Sequence, residues 1–330
     1  MKTYEVLHTL YMSLNLPISP LQFIPDHPGK DRGISLFIKR DDLLHPDIQG
    51  SKARKLAAIL PGIKQSHPGG IVTFGGAFSN HLHAVATAGK VFNIRTVGII
   101  RGEHIDIQNA TLRVVSELGM TLIPMPKTRY DAIKEQAEIF LGDEFPQCYF
   151  LPEGGSTAEA VEACAAIPVE ILAQLQHDHP ELDFKPLYIC APAGTGCTAA
   201  GVVAGLNASN SQVFIFPVSS HDFEASTILR FLSDTHRSGD EVVNKFKIVY
   251  EYTFGGFAKL HPPVMAFIRS FYQETNILLD PVYTAKMLFG IYQMLDQGAF
   301  QPGSTVVMLH TGGIQGWKGF RERYGMAGMV

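Results

Sequence analysis

Lys52 stands between Gly50-Ser51 and an apolar pattern formed by Leu56, Ile59, Leu60 and Ile63. The spacing predicts a helix start, where unpaired backbone N–H groups raise the local positive potential. An amine placed there loses its proton more easily if it is also buried, because desolvation disfavours the ammonium form. A neutral lysine attacks carbonyl carbons and carries protons. Alone, the position fits a solvated surface lysine equally well. Its meaning depends on the other reactive groups of the chain.

Ala193-Gly194-Thr195-Gly196-Cys197-Thr198-Ala199-Ala200-Gly201 follows the apolar run 187–191. Strand, glycine turn, then helix start is an arrangement that offers several N–H groups to a phosphate. Thr195 and Thr198 add hydroxyl donors, although an ordinary tight turn would read the same way. The segment lacks the Lys-Ser/Thr ending of a nucleoside-triphosphate loop. It also lacks GxGxxG spacing and an acidic ribose partner, so a single small phosphate fits better than a dinucleotide. Gly75-Gly76-Ala77-Phe78-Ser79-Asn80-His81 is a second glycine turn into a helix. A cap accounts for Ser79 or Asn80. The whole polar triplet suits a carboxylate at the helix N-terminus. Asp280-Pro281-Val282-Tyr283-Thr284 opens a further helix, with Tyr283 either a core ring or a site residue. His310-Thr311-Gly312-Gly313 closes a strand, where α/β sheets place ligands.

The elements that must carry these turns alternate along the chain. Runs at 71–74, 96–100, 121–124 and 148–151 read as strands, with helices near 79–92, 109–118 and 130–140. Asn109 reads as a cap, and Gly119 as a stop. A second series has strands at 187–191, 213–218, 247–252 and 305–309. Its helices begin near Cys197, Asp222, Pro262 and Tyr283. Two βαβ series predict two doubly wound, open-sheet α/β domains with a cleft between them. The helix after Ser156 reads as a connector. The expected division is residues 1–50 with 164–330 as the large domain, and 51–163 as the small one.

Composition narrows the function classes. The chain has 330 residues, 46% of them hydrophobic and 18% charged, enough for more than one core. A net charge of -4 offers no basic footprint for nucleic acid. Cys148, Cys164, Cys190 and Cys197 form no CxxC pair, and a reduced, cytosolic setting follows as the expectation. Residues 1–20 lack the pattern of a signal peptide, and no run is apolar enough to span a bilayer. There is no HExxH or Cys/His ligand set for a metal and no GxSxG elbow. His104, His177, His179 and His261 read as surface groups.

Taken in order, Gly50-Ser51-Lys52 with Arg54-Lys55-Leu56, Ser79-Asn80-His81, the 194–201 loop, the 279–284 segment and His310-Thr311-Gly312-Gly313 resemble one family. It is the 1-aminocyclopropane-1-carboxylate deaminase/D-cysteine desulfhydrase family, pyridoxal-phosphate enzymes of the tryptophan-synthase-β fold (fold type II). Ser19-Pro20-Leu21 and Ile38-Lys39-Arg40-Asp41-Asp42 fit its opening, so the resemblance spans nearly the whole chain. It implies that Lys52 forms the Schiff base with pyridoxal 5'-phosphate and that Asn80 bonds the cofactor's phenolic oxygen. Gly194, Thr195, Gly196, Cys197 and Thr198 would cradle its phosphate. Thr311, rather than Thr284, would meet its pyridine nitrogen. Ser79, Asn80, His81 and Tyr283 would bind a small amino-acid substrate, with Lys52, Ser79 and Tyr283 catalytic. A homodimer is implied as well.

Three departures bear on the substrate. Ser51 stands where the family usually has Asn. Thr284 stands where its ring-opening deaminases have Glu. Residues 254–259 replace its tyrosine-bearing substrate loop. The expected reaction is β-elimination from a small D-amino acid, D-cysteine first, giving a 2-keto acid, ammonia and sulfide. A neutral threonine at the pyridine nitrogen does not favour its protonation, which suits elimination better than transamination. The alternatives are 1-aminocyclopropane-1-carboxylate ring opening, D-serine dehydration or racemisation, and a non-catalytic pyridoxal-phosphate carrier.

Overall fold

The structure is a computed structural model and describes residues 14, 16–184, 186–219, 223–235 and 240–326. The segment read as free of a leader signal, 1–20, lies mostly outside them. Their strands are β1 Leu21–Ile24, β2 Ser35–Lys39, β3 Gly70–Gly75, β4 Thr96–Arg101, β5 Thr121–Met125, β6 Cys148–Leu151, β7 Leu187–Ala193, β8 Ser211–Pro217, β9 Phe246–Ile248 and β10 Thr305–Leu309. Six form one sheet in the order β1-β2-β10-β7-β8-β9, and four form another in the order β5-β4-β3-β6. All pairs are parallel except β1 with β2. β3 and β10 are buried at every position, as unbroken apolar runs covered on both faces must be.

Each sheet has one point where the winding reverses, between β7 and β10 in the first and between β3 and β6 in the second. The helices that matter for the site are α1 Ser51–Ser66, α2 Asn80–Phe92, α3 Ala158–Cys164, α4 Ala166–Asp178, α5 Cys197–Gly205, α6 Thr284–Asp296 and α7 Gly316–Tyr324. One hydrophobic cluster includes Ile71 and Leu82 from the small side and Ile189, Val202 and Val307 from the large side. The two sheets therefore share a core. The chain changes sheet between β2 and β3 and again between β6 and β7, and within those connections we propose the division at 50/51 and 163/164.

Four expectations change in detail. β1 and β2 extend the large sheet although only the chemistry of their charged end was read. The helix expected at 130–140 is two, Lys127–Ile133 and Ala137–Leu141, because Gln136 leaves helical φ/ψ. Its buried face (Tyr130, Ile133, Ala137, Leu141) keeps helical spacing across the break, so periodicity could not reveal it. The strand expected at 247–252 is the shorter β9. Asp222 lies outside the described residues, and the helix there begins at Ala225.

Candidate active site

A cavity of about 570 Å³ opens where the two reversal points face each other. Loops from the C-terminal ends of all four reversal-point strands line it: 76–81 after β3, 153–154 after β6, 194–196 after β7 and 311–313 after β10. Open α/β sheets bind ligands at this place because the loops diverge there and leave a crevice. Lys52, Ser79, Asn80, His81, Gly194, Thr195, Gly196, Thr198, Tyr283 and Thr311 all line the cavity. Cys197 does not. Its side chain is fully buried and its sulfur reaches Gly155 O at 4.0 Å, leaving its backbone N–H for the loop.

Lys52 sits in the first turn of α1. Gly50 makes that placement possible. Its φ is +63°, and a Cβ there would fall 1.8 Å from Thr311 O. Only glycine passes so close to the end of β10. Burial pushes the Lys52 amine down to about 7, and the Lys55 charge adds to the effect. Lys55 donates to Gly154 O at 3.1 Å.

Two residues beyond Lys52, the Arg54 guanidinium is wholly buried and forks onto two carboxylates. It reaches Asp41 Oδ1 and Oδ2 at 2.7 Å, and Glu170 Oε1 and Oε2 at 2.7 and 2.9 Å. Lys39 completes the group with a 2.8 Å bond to Glu170. Two cations and two anions thus tie the start of α1 to the end of β2 and to α4. In the sequence Arg54 stands only as part of a motif and Glu170 carries no signal, since an arginine two residues after a reactive lysine does not name its partners.

The phosphate-type loop enters α5 through Gly196 at φ +90°, and no side chain caps this helix. The first N–H groups of α5 and the Thr198 hydroxyl are the donor set a phosphate dianion requires. Thr195 shares a 2.8 Å hydrogen bond with Ser156. Across the cavity, Ser79 caps α2 and its Oγ accepts from His81 N and Leu82 N at 3.2 and 3.3 Å. Its own proton stays free to donate. Asn80 lies against the 310–313 turn. A Cβ at Gly313 would stand 2.8 Å from Asn80 Nδ2, so a glycine is needed there too.

His81 lines the cavity, but its ring bonds to β3. Thr73 Oγ1 donates to Leu151 O at 2.8 Å and therefore accepts from His81 Nε2, also at 2.8 Å. That leaves Nδ1 as a buried acceptor without a partner. Burial first, and then the Lys52 and Lys55 charges, hold the ring well below its usual range. A neutral ring with a bare acceptor offers a carboxylate no donor, so this side chain does not serve as expected.

Asp280, read only as part of a motif, shapes the start of α6. Its carboxylate accepts from Val282 N at 2.8 Å, Tyr283 N at 2.7 Å and Thr284 N at 3.3 Å. This sets the Tyr283 ring over the phosphate-type loop, with its Oη 3.3 Å from a Cβ built at Gly194. Burial, then Asp280 and Glu153, push the phenol up, so it keeps its proton. Thr284 is fully buried and bonds to Asp280, its Oγ1 accepting from Asp280 N at 2.9 Å. The cavity wall therefore carries Thr311 and not Thr284. The substrate argument built on Thr284 loses its direct contact. Thr311's hydroxyl makes no hydrogen bond with the described residues and is available to a ligand.

Phe257 from the altered 254–259 loop meets the Tyr283 ring edge-on at 5.9 Å and lines the cavity. Arg101 and Lys134, which the sequence reading did not single out, line it as well. No described group of three or more His, Cys, Asp or Glu is placed to hold a metal. No described helix is long and apolar enough to cross a membrane.

The family described as "Pyridoxal-phosphate dependent enzyme" matches residues 14–312. A Pyrococcus abyssi protein provisionally named 1-aminocyclopropane-1-carboxylate deaminase is 28% identical over 305 residues, covering 90% of each chain. The Arabidopsis thaliana bifunctional D-cysteine desulfhydrase/1-aminocyclopropane-1-carboxylate deaminase, a mitochondrial protein, is 27% identical over 305 residues, covering 88% of this chain and 75% of that one. A crystal structure titled as an ACC deaminase homologue superposes with a TM-score of 0.75 at 22% identity, covering 96% of this chain and 98% of that one. That likeness establishes the fold.

Proposed function

The chain belongs to the pyridoxal-phosphate dependent enzymes, and from that premise we propose that it eliminates the β-substituent of a small D-amino acid, with D-cysteine the leading substrate. The observation that carries this reading is the Lys52 amine, held near neutrality in a cavity that also presents a phosphate cradle and the Ser79 cap. The 194–198 loop would hold the cofactor phosphate, Asn80 the phenolic oxygen and Thr311 the ring nitrogen. Pyridoxal phosphate, when bound, supplies an electron sink for the substrate Cα.

The chain's own groups supply the rest. With the cofactor bound, Lys52 Nζ would be the group that holds it at its carbonyl carbon until the substrate amine takes that place. Once free and neutral, Lys52 is positioned to take the Cα proton, and an amine near 7 is well matched to that task. Ser79 Oγ, whose proton is free, donates to the substrate carboxylate at the start of α2. Tyr283 keeps its proton and can give it to the departing sulfur. The products are a 2-keto acid, ammonia and sulfide.

Ring opening of 1-aminocyclopropane-1-carboxylate is the second reading, supported by the names of the relatives. Among the described lining residues the one carboxylate is Glu153, whose Oε2 lies 3.7 Å from Lys134. Proton handling at a carbon without a leaving group therefore has few candidates. A homodimer belongs to the proposal, as does a reducing, cytosolic setting, which the four buried free thiols support.

The test combines chemistry and mapping. The protein loaded with pyridoxal phosphate should show a visible absorbance band, and borohydride should fix the cofactor to Lys52. Lys52→Ala should keep the fold and lose the band. Keto acid and sulfide should form from D-cysteine faster than keto acid from 1-aminocyclopropane-1-carboxylate. An adduct on Lys55 or Lys286, or the reverse order of rates, would overturn this reading.

A further inference from the structure

The lining residues include five cations, Lys52, Lys55, Arg101, Lys134 and Arg323. Three have evident work or a polar partner. Lys52 is the attachment amine. Lys55 donates to Gly154 O. Lys134 lies 3.7 Å from Glu153 and 3.8 Å from Asp131. Arg323 is at the exposed end of α7, its guanidinium 5.5 Å from the Tyr324 ring centre. Arg101 and Arg323 are the two without an anionic neighbour among the described residues, and Arg101 is the one on the small-sheet wall that carries the Ser79 turn. It makes no ion pair with any described residue, and its recorded neighbour is the Tyr130 ring, 5.9 Å from its guanidinium carbon.

Its position is specific. Arg101 ends β4, beside β3 in the small sheet. A Cβ built at Gly76 would stand 3.8 Å from an Arg101 Nη2. Gly76 opens the turn whose carbonyl accepts Ser79 N–H at 3.0 Å. The guanidinium thus borders the turn assigned to the substrate. The phosphate cradle belongs to the other sheet, after β7. Lys134 Nζ lies over the same Tyr130 ring, 5.9 Å from its centre, so a second cation stands on this wall. Phe257 and Tyr283 give the cavity an aromatic surface as well.

We infer that Arg101, backed by Lys134, is the counter-ion for an anionic β-substituent of the substrate. The inference rests on the proposed amino-acid site and names its substrate class: small amino acids whose side chain bears a carboxylate, sulfonate or thiolate, over neutral ones of equal size. A guanidinium pairs with a planar carboxylate through two parallel N–H bonds and with other anions by charge, and no described residue competes for these donors. For a thiol substrate, the same charge stabilises sulfur as it departs.

D-Aspartate and D-asparagine have the same shape and differ in charge, so they isolate the effect. Each, with D-alanine, is titrated into the cofactor-loaded protein and binding is read from the shift of the visible band. Wild type should bind D-aspartate at least about tenfold tighter than D-asparagine. Arg101→Gln should bring the two within about twofold and leave D-alanine within about twofold of wild type. Arg101→Lys, which keeps the charge, should retain part of the preference. Equal wild-type affinities would overturn the inference. So would an equal loss for D-alanine and D-aspartate in Arg101→Gln, since Arg101 would then serve the shared α-carboxylate. If no amino acid shifts the band, the pyridoxal-phosphate site reading fails, and this inference fails with it.

Discussion

Lys52 differs from an ordinary surface lysine in one measurable respect. Burial and the Lys55 charge lower its amine to about 7 from an ordinary 10.5. The reactive form is the neutral amine, and its fraction grows as pH rises through the folded value. The rate at which the cofactor-free protein takes up pyridoxal phosphate, followed at the visible band, should climb about tenfold per pH unit well below 7. It should level off above about pH 8. A rate still climbing past about pH 9 would mean that Lys52 titrates as a solvated lysine. The Gly50 contact fixes where this amine sits. A residue with a Cβ would displace α1 from the end of β10, and the lysine with it.

At the scale of one element, the loop carrying Phe257 depends on Lys286 of α6. Phe254, Gly255, Gly256 and Ala258 all have φ between 48° and 107°. Two of them are not glycines, so the loop persists only if its surroundings hold it. Lys286 Nζ donates to Thr253 O at 2.9 Å and to Gly256 O at 2.6 Å. Burial lowers this amine to about 8, with Asp280 opposing. Lys286→Met fills the space without the bonds. It should raise KM for the amino acid about tenfold, change kcat less than about threefold and leave cofactor affinity unaltered. As pH passes about 8 the wild-type clamp loses its charge and KM should rise, a trend the variant should lack. Equal KM values across pH would remove Lys286 from substrate positioning.

Across the whole molecule, the buried Lys39–Glu170–Arg54–Asp41 group is the feature most sensitive to charge. Removing one partner leaves a charge uncompensated, a loss of about 3–5 kcal/mol for buried pairs. Glu170→Gln should therefore shift the urea midpoint well below wild type. Burial alone would raise the Glu170 carboxyl, but Arg54 and Lys39 outweigh it and hold it at about 2 against an ordinary 4.5. A depressed carboxyl contributes its stability in full above about pH 4.5 and loses it as pH falls toward 2. The gap between wild type and Glu170→Gln should narrow over that window. A gap that stays constant would show that the glutamine variant loses stability for reasons other than charge.

Chain order and local pattern carried much of this protein in the sequence. β3, β4, β6, β7 and β10 are apolar runs long enough to recognise. The glycine turns after β3 and β7 declare themselves by residue type, because a close approach of backbone to a ligand leaves little alternative. Five motifs in a fixed order resemble one cofactor family, and that resemblance lies in the residues alone. What the sequence could not decide was which side chains meet. Lys52 and Thr311 stand far apart in the chain and touch through Gly50 only because β10 ends beside α1. Thr284 and Thr311 have the same hydroxyl, and burial beside Asp280 removes one of them from the cavity. Arg54 and Arg101 look alike as letters. Folding surrounds the first with two carboxylates and leaves the second at the cavity with none among the described residues. Partnership and solvent access are properties of three-dimensional distance, which local sequence pattern does not encode.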